Sequence, residues 1–439
     1  MQAAPQDRHG HNAGHGPDPP AARSTDLSTV NAELPCTAEV LKIAVDCPLR
    51  ALLDYLPPEG RAASAVLPGT RVRVPMGRRE TVGIVVGSAA QSALANSRLR
   101  RVAAILDEQP LLDSALLELL TWTASYYHHP PGEVLCAALP AVLRAGGAAE
   151  ASEAWLRLSE RGREAAAAGE PRRSAKQREL LQALAGAGAG LSATQLAAGS
   201  PGWRPRARAL VERGYATLEE RTVGASTCAA PAAPLPATGA WPAGPALSPE
   251  QAQALERIDA ESERFAAFVL QGATGSGKTE VYLRLVVRAL ERGRSALVLV
   301  PEIGLTPQLL QRFRERLPVP MAVLHSALKD GERLAAWRAA RAGTARVVIG
   351  TRSAVFAPLR DLGLIVIDEE HDHSYKQHEG GCRYSARDVA VRRAQQAGVP
   401  VVLGPRRLRS KPCKTWHCNA IASCPCRGVP IRLPRPVWR

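Results

Sequence analysis

At 439 residues the chain is long enough for two to four domains, and Arg, Gly or Glu interrupts its apolar runs well short of a membrane span. A formal net charge of +15 invites a polyanionic partner, but Pro405–Arg439 holds nine Lys and Arg and no Asp or Glu, which leaves +6 for everything before it. Met1 to Pro35 lacks the apolar segment of a signal peptide, and nine cysteines without regular pairing suit a reducing compartment, so a cytoplasmic protein without a membrane partner is expected.

Residues 1–37 are rich in Ala, Pro, Gly and His, with too few large apolar side chains to offset the entropy of ordering, and are expected to be a disordered leader. From residue 38 the texture changes to β-like pieces, Glu39–Val45, Arg71–Val74 and Thr81–Val86, set between Gly and Pro turns, which predicts a small sheet or barrel. A helix follows from Leu111 to about Tyr127, in which Trp122, Tyr126 and Tyr127 recur at helical spacing and are expected to face the core. These features make 38–145 one unit.

Residues 146–222 form a second unit. Leu180, Leu181 and Leu184 mark one helix, Leu191–Leu196 a second and Arg206–Arg213 a third, before a short strand at Tyr215–Leu218. Three short helices and a strand in that order suggest a winged-helix module. Ala, Pro and Gly dominate 223–246, which reads as a linker.

The third unit, 247–404, starts with Ser248 as a helix cap and Pro249 in the first turn. The apolar run Phe265–Leu270 then delivers the chain to Gly272–Thr279, which has the spacing of a P-loop. Gly272, Gly275 and Gly277 let backbone N–H groups turn inward around a polyphosphate, Lys278 reaches the outer phosphates, and the Thr279 hydroxyl holds Mg²⁺. Four further apolar pieces, Ser295–Val300, Met321–Leu324, Arg346–Ile349 and Leu364–Ile367, alternate with helical stretches and predict a mainly parallel α/β sheet.

Asp368–Asp372 comes directly after the last of these strands. Asp368 is expected to support Mg²⁺ through water and Glu369 to polarise the attacking water, so Lys278, Asp368 and Glu369 form the catalytic set. His371 is either a relay toward DNA or a surface residue. Beyond it, Tyr375, Lys376, Arg383 and Tyr384 interleave aromatic and basic side chains, a pattern suited to stacking on bases and pairing with phosphates. Thr351, after Gly350 at a strand end, is placed to hold a DNA phosphate.

Four stretches, Pro48–Gly60, Pro68–Arg79, Val82–Val86 and Ala124–Leu135, resemble the N-terminal domain of the PriA family of replication-restart helicases, and Pro301–Gln308, Leu324–Ser326 and Gly350–Pro358 are similar to motifs of its first RecA-like motor lobe. The resemblance runs from about Ala38 to Gly404. It implies that Asp54 helps to recognise the 3′ end of a nascent strand, with Leu53 standing where Phe is common, and that Gln251 reads adenine. It also implies a winged helix before the motor, ATP and Mg²⁺ as cofactors, and a 3′-to-5′ helicase acting on branched or forked and single-stranded DNA. Single-strand binding protein and primosome proteins are the implied protein partners. Gly380–Cys382 stands where some members carry a further aromatic.

After Gly404 the family pattern calls for Ser-Ala-Thr-Pro-Ser, a zinc-binding region and a second lobe, and Pro405–Trp416 has none of these. Codons can be chosen so that the adjacent frame, with one base missing after Gly404, reads that motif and its continuation, so 405–439 is expected to be an aberrant, frameshifted basic tail. Cys413, Cys418, Cys424, Cys426 and His417 lack a CxxC pair, a poor fit to structural zinc, and no zinc site is expected. Without a second lobe the expectation is binding of DNA and ATP without unwinding. The alternative is a fork-binding adaptor that does not hydrolyse ATP; a P-loop kinase or transporter ATPase leaves the N-terminal matches unexplained.

Overall fold

The computed structural model describes residues 35–36, 39–172, 174–188, 190–200, 202–223, 241–272, 276–378, 380–405 and 417–421. The expected leader up to residue 34, most of the linker, Gly275 and most of the basic tail, with Cys413, Cys424 and Cys426, lie outside the described residues.

The N-terminal unit is built on β2 (Val40–Val45), which alternates little because both its faces are covered: Val40, Leu41 and Ile43 are fully buried. With β3 (Leu53–Leu56), β4 (Arg71–Met76), β5 (Arg79–Ala89), β7 (Arg100–Arg101) and β8 (Ala104–Ile105) it forms a six-stranded sheet in the order β7-β3-β2-β5-β4-β8. A separate short pair joins β1 (Pro35–Cys36) to β6 (Ser92–Ala95), so the end of the expected leader is part of a strand. Helices α1 (Ser114–Tyr126), α2 (Pro131–Ala137) and α3 (Ala141–Arg144) follow, the first capped by Asp113, whose carboxylate accepts from the Leu116 N–H. Arg71 departs from a simple Arg-out, Val-in alternation. It is 1% exposed and paired with Asp107 at 2.7 Å, while its guanidinium also donates to the Leu143 and Gly147 carbonyls. A buried arginine is tolerated because its donors are met by a carboxylate and two carbonyls.

The second unit centres on β9 (Ala151–Leu158), flanked by β10 (Leu191–Ser192) and β11 (Ala216–Val223) in the order β10-β9-β11. Helices α4 (Glu160–Ala167), α5 (Ala175–Gly186), α6 (Ala193–Gly199) and α7 (Trp203–Glu212) close over it around Leu156, Leu181, Leu184, Leu196 and Leu210. β9 and α4 escape a periodicity reading because Ala, Ser and Glu make up much of both.

The third unit begins with α8 (Pro249–Asp259), whose start is fixed by a reciprocal capping box between Ser248 and Gln251. It continues through β12 (Ala267–Gln271), α9 (Lys278–Glu291), β13 (Ser295–Leu299), α10 (Pro307–Arg316), β14 (Met321–Leu324), α11 (Asp330–Ala342), β15 (Val347–Gly350), β16 (Leu362–Asp368), α12 (Ala386–Ala397), β17 (Val401–Gly404) and β18 (His417–Ile421). The sheet order is β14-β15-β13-β16-β17-β12-β18, parallel up to β12, with β18 antiparallel at the edge. The period of two divides its buried residues cleanly. Val298, Val366 and Val402 pack with α8 and α9, while Leu297, Ile365 and Val401 pack on the other face with α11 and α12.

That second face does not end at the lobe. Its apolar cluster runs on into Leu111, Leu116, Leu120, Leu135 and Leu143 of the N-terminal unit. Across the seam Trp337 Nε1 donates to the Ala138 carbonyl at 3.3 Å, Arg338 to Ala149 at 2.7 Å and Arg341 to Pro110 at 3.0 Å. The two units that flank the second unit in sequence therefore share one core. Among the described residues no helix is long and apolar enough to cross a membrane.

Candidate nucleotide and DNA site

The strand order brings the two motifs together. β12 delivers the P-loop, β16 delivers the acidic turn, and β17 alone lies between them. Both strands are parallel and end on the same edge, which is where open α/β sheets hold ligands. The buried Gly272 offers its carbonyl to Lys278 Nζ at 3.0 Å, and the Pro405 carbonyl accepts from the same ammonium at 3.4 Å. Gly277 caps α9 with φ +82, and a Cβ there would lie 2.8 Å from Gln251 Nε2, so both backbone conformation and space call for glycine. Thr279 follows in the first turn of α9, half-buried.

Gln251 latches α8 onto this loop. Its Oε1 accepts from the Ser248 N–H at 2.9 Å and its Nε2 donates to the Ser276 carbonyl at 2.8 Å, so both polar ends of the expected adenine reader are engaged within the chain. Burial lowers the Lys278 pKa from its ordinary value, against the opposing pull of Asp368 and Glu369. Burial likewise pushes the Asp368 carboxyl up, resisted by the Glu369 N–H, the Lys278 charge and the Tyr282 hydroxyl. Lys278, Asp368 and Glu369 thus sense one another across β17. Glu369 has φ +44, a left-handed conformation that costs a non-glycine residue about 1 kcal/mol or more and that re-aims the chain straight after the strand.

The available donors suit Mg²⁺. A threonine hydroxyl and a carboxylate are hard oxygen ligands of the kind that ion takes beside nucleotide phosphates, and a desolvated carboxylate gains from a nearby cation. Thr279 and Asp368 would hold it, and it would neutralise charge developing on the transferred phosphoryl group. Among the described residues there is no cluster of three or more His, Cys, Asp or Glu able to hold a metal ion. The side chain of Cys418, in β18, is not among those described.

The residues expected to face DNA divide differently from the sequence expectation. Tyr375 and Tyr384 are 2% and 5% exposed. The Tyr375 hydroxyl donates to the Asp368 carbonyl at 2.6 Å, and the Tyr384 ring packs 5.0 Å from Phe356, so neither ring is placed to stack on a base. The cause is local pairing: Lys376 bridges Ser385 and the Gln377 N–H donates to the Tyr384 carbonyl, which gives the segment strand-like alternation. The aromatic members point in while Lys376 and Arg383 point out, exposed. Thr351 is also buried, and its N–H is taken by the Leu324 carbonyl, so the expected phosphate contact through that amide is not open. His371 lies at the surface.

Asp54 sits in β3, on the other sheet. Its Oδ2 accepts from Ser92 Oγ at 2.6 Å, and Lys42 Nζ lies 2.7 Å from Oδ1 as an ion pair off the hydrogen-bond direction. Nothing in the sequence singled out Lys42, which faces Asp54 through strand register, or Ser92, which comes from the separate β1–β6 pair. Also unforeseen is how the N-terminal unit holds the segment after the acidic turn. Tyr127 accepts from the Ser385 N–H at 3.2 Å and donates to Asp388 at 3.3 Å, while His129 Nε2 accepts from the Arg383 N–H at 2.9 Å. Tyr126, expected in the core, is 45% exposed and stacks on Trp122, which packs at the core's margin under the Arg392 guanidinium.

Residues 42–140 match the family model for a 3′ DNA-binding domain of PriA, and residues 248–402 match the DEAD/DEAH box helicase model. The chain is similar to the replication restart protein PriA of Haemophilus influenzae, 38% identical over 373 residues, which cover 83% of this chain and 49% of that protein. It is 49% identical over 160 residues to that of Bacillus subtilis, covering 36% of this chain and 20% of the relative. The Pyrococcus furiosus Hef helicase domain is 23% identical, with 36% of this chain and 33% of that one covered and a TM-score of 0.26. The chain thus spans about half the length of its Haemophilus relative.

Proposed function

Because the chain belongs to the PriA family of replication restart proteins, we propose that its described residues form a fork-DNA-binding platform with one nucleotide-binding motor lobe, which binds ATP with Mg²⁺ and DNA but does not unwind by itself. The observation that carries this reading is the convergence of Lys278, Asp368 and Glu369 at the edge where β12 and β16 end. In this reading Lys278 binds the outer phosphates, Asp368 and Thr279 take the ion, and Glu369 orients water. Gln251 exchanges its bond to the Ser276 carbonyl for one to adenine. Asp54 contributes to 3′-end recognition by exchanging a partner, Ser92 or Lys42, for the terminal hydroxyl. Lys376 and Arg383 take phosphates of single-stranded DNA. The second unit acts as a winged helix on an adjoining arm of the fork. Opening and closing against a second lobe is what converts hydrolysis into movement, and the described lobe offers one half of that pair.

The test is nucleotide binding, fork binding, DNA-stimulated hydrolysis and unwinding by the purified chain, with Lys278→Ala as the blank. The expected result is Mg²⁺-dependent nucleotide binding that the variant loses, fork binding that it keeps, and no strand separation. Unwinding abolished by Lys278→Ala would overturn the reading of one lobe without movement. Equal nucleotide binding by both proteins would overturn the assignment of the P-loop.

A further inference from the structure

Tyr282 lies one helical turn beyond Lys278 on α9, on the same face, and is 2% exposed. Its hydroxyl donates to Asp368 Oδ1 at 3.2 Å, and the Glu369 N–H donates to the same oxygen at 3.0 Å. Among the described residues no donor reaches Oδ2. The carboxylate is thus held through one oxygen and left with the other. The bridge from α9 to the end of β16 has to pass the end of β17, which lies between β12 and β16, and the residue there is Gly404. A Cβ on Gly404 would lie 1.9 Å from the Tyr282 hydroxyl and 3.1 Å from Asp368 Oδ1. Here glycine is required for space, not for an unusual backbone angle.

We propose that Tyr282 is a positioning residue for the metal-binding carboxylate: it fixes Asp368 through Oδ1 so that Oδ2 faces the cation, and Gly404 provides the gap through which the two side chains meet. The proposal rests on the reading of this edge as a nucleotide and Mg²⁺ site. One helix then supplies both the lysine for phosphate and the hydroxyl that orients the ion's ligand, so the two are aligned by a rigid element. A purely structural Tyr282 would serve the core through its ring alone, and the hydroxyl would be dispensable.

The experiment separates these roles by measuring affinity of the full chain for a fluorescent ATP analogue in EDTA and across a Mg²⁺ titration, for wild type, Tyr282→Phe and Gly404→Ala. Tyr282→Phe keeps the ring, so affinity in EDTA should be unchanged while the Mg²⁺ concentration for half-saturation rises by about three- to tenfold, the effect of one ordinary net hydrogen bond. Gly404→Ala, which displaces the hydroxyl without removing it, should raise it in the same way. The double variant should be no worse than the more affected single one, because both substitutions break one contact. An unchanged Mg²⁺ half-saturation in Tyr282→Phe, with wild-type nucleotide binding intact, would overturn this proposal alone. Wild type that binds no nucleotide at any Mg²⁺ concentration would overturn the parent reading and this one with it.

Discussion

Two aromatic groups in this molecule carry similar side chains to opposite ends. In α1, Trp122 and Tyr126 recur at helical spacing, the usual mark of a buried stripe, yet Tyr126 is 45% exposed and Trp122 lies at the margin of the core. In the segment after the acidic turn, Tyr375 and Tyr384 alternate with basic residues, the usual mark of a nucleic-acid surface, yet they are almost fully buried. The difference lies in what each element packs against. The leucines of α1, Leu116, Leu117, Leu119 and Leu120, already fill the face toward α12, which leaves its aromatic residues to an outer edge. The later segment pairs with itself, and the pairing sends alternate residues in opposite directions. Periodicity shows which residues share a side, and the neighbouring element decides which side is covered.

The comparison breaks most readily at the buried pair. Tyr375→Ala and Tyr384→Ala should each cost about 3–5 kcal/mol in chemical denaturation, as expected for emptying a large core site; a cost near zero would place these rings in solvent after all. Tyr375→Phe is a sharper cut, because it removes the hydrogen bond to Asp368 and keeps the ring. It should cost about 0.5–1.5 kcal/mol. On α1, Trp122→Ala should cost about 1–2 kcal/mol, from its stack on Tyr126 and the Arg392 cation above it, and Tyr126→Ala less than that. The smallest stability effects belong to Lys376→Ala and Arg383→Ala, within about 0.5 kcal/mol. Each of these should instead reduce the slope of single-strand binding against log salt by about 0.7, and an unaltered slope would remove the loop from the DNA path.

The lobe was the most legible part of the chain. Apolar strands of the right length between helices, a P-loop after one and carboxylates after another, specify a parallel sheet through local chemistry, and the structure has that sheet, with both motifs at one edge. In the middle unit α5 was legible from the spacing of Leu180, Leu181 and Leu184, whereas Leu191–Ser192, expected to open the second helix, is strand β10 and α6 starts after it. What stayed hidden depends on distant partners. Arg71 looked like a surface residue in an alternating strand, and its burial is made possible by Asp107 and two carbonyls, Leu143 in α3 and Gly147 just after it. Tyr282 looked like one more apolar residue of the P-loop helix, and Gly404 like an ordinary strand end. Their contact exists because β17 is inserted between two strands far apart in sequence, an order no local pattern encodes. The inward turn of Thr351 and the occupied carboxylate of Asp54 likewise follow from register.

The seam between the N-terminal unit and the motor lobe has a calorimetric consequence. Leu111, Leu120, Leu135 and Leu143 belong to the same cluster as Leu297, Ile365 and Val401, and Trp337 and Arg341 donate across the boundary. Heating should melt these two units in a single endotherm, whereas the middle unit, with a separate core around Leu181 and Leu210, should show its own. A fragment cut after residue 145 would leave the seam's leucines wet on both pieces, so the N-terminal unit would lose solubility when parted from the α/β lobe.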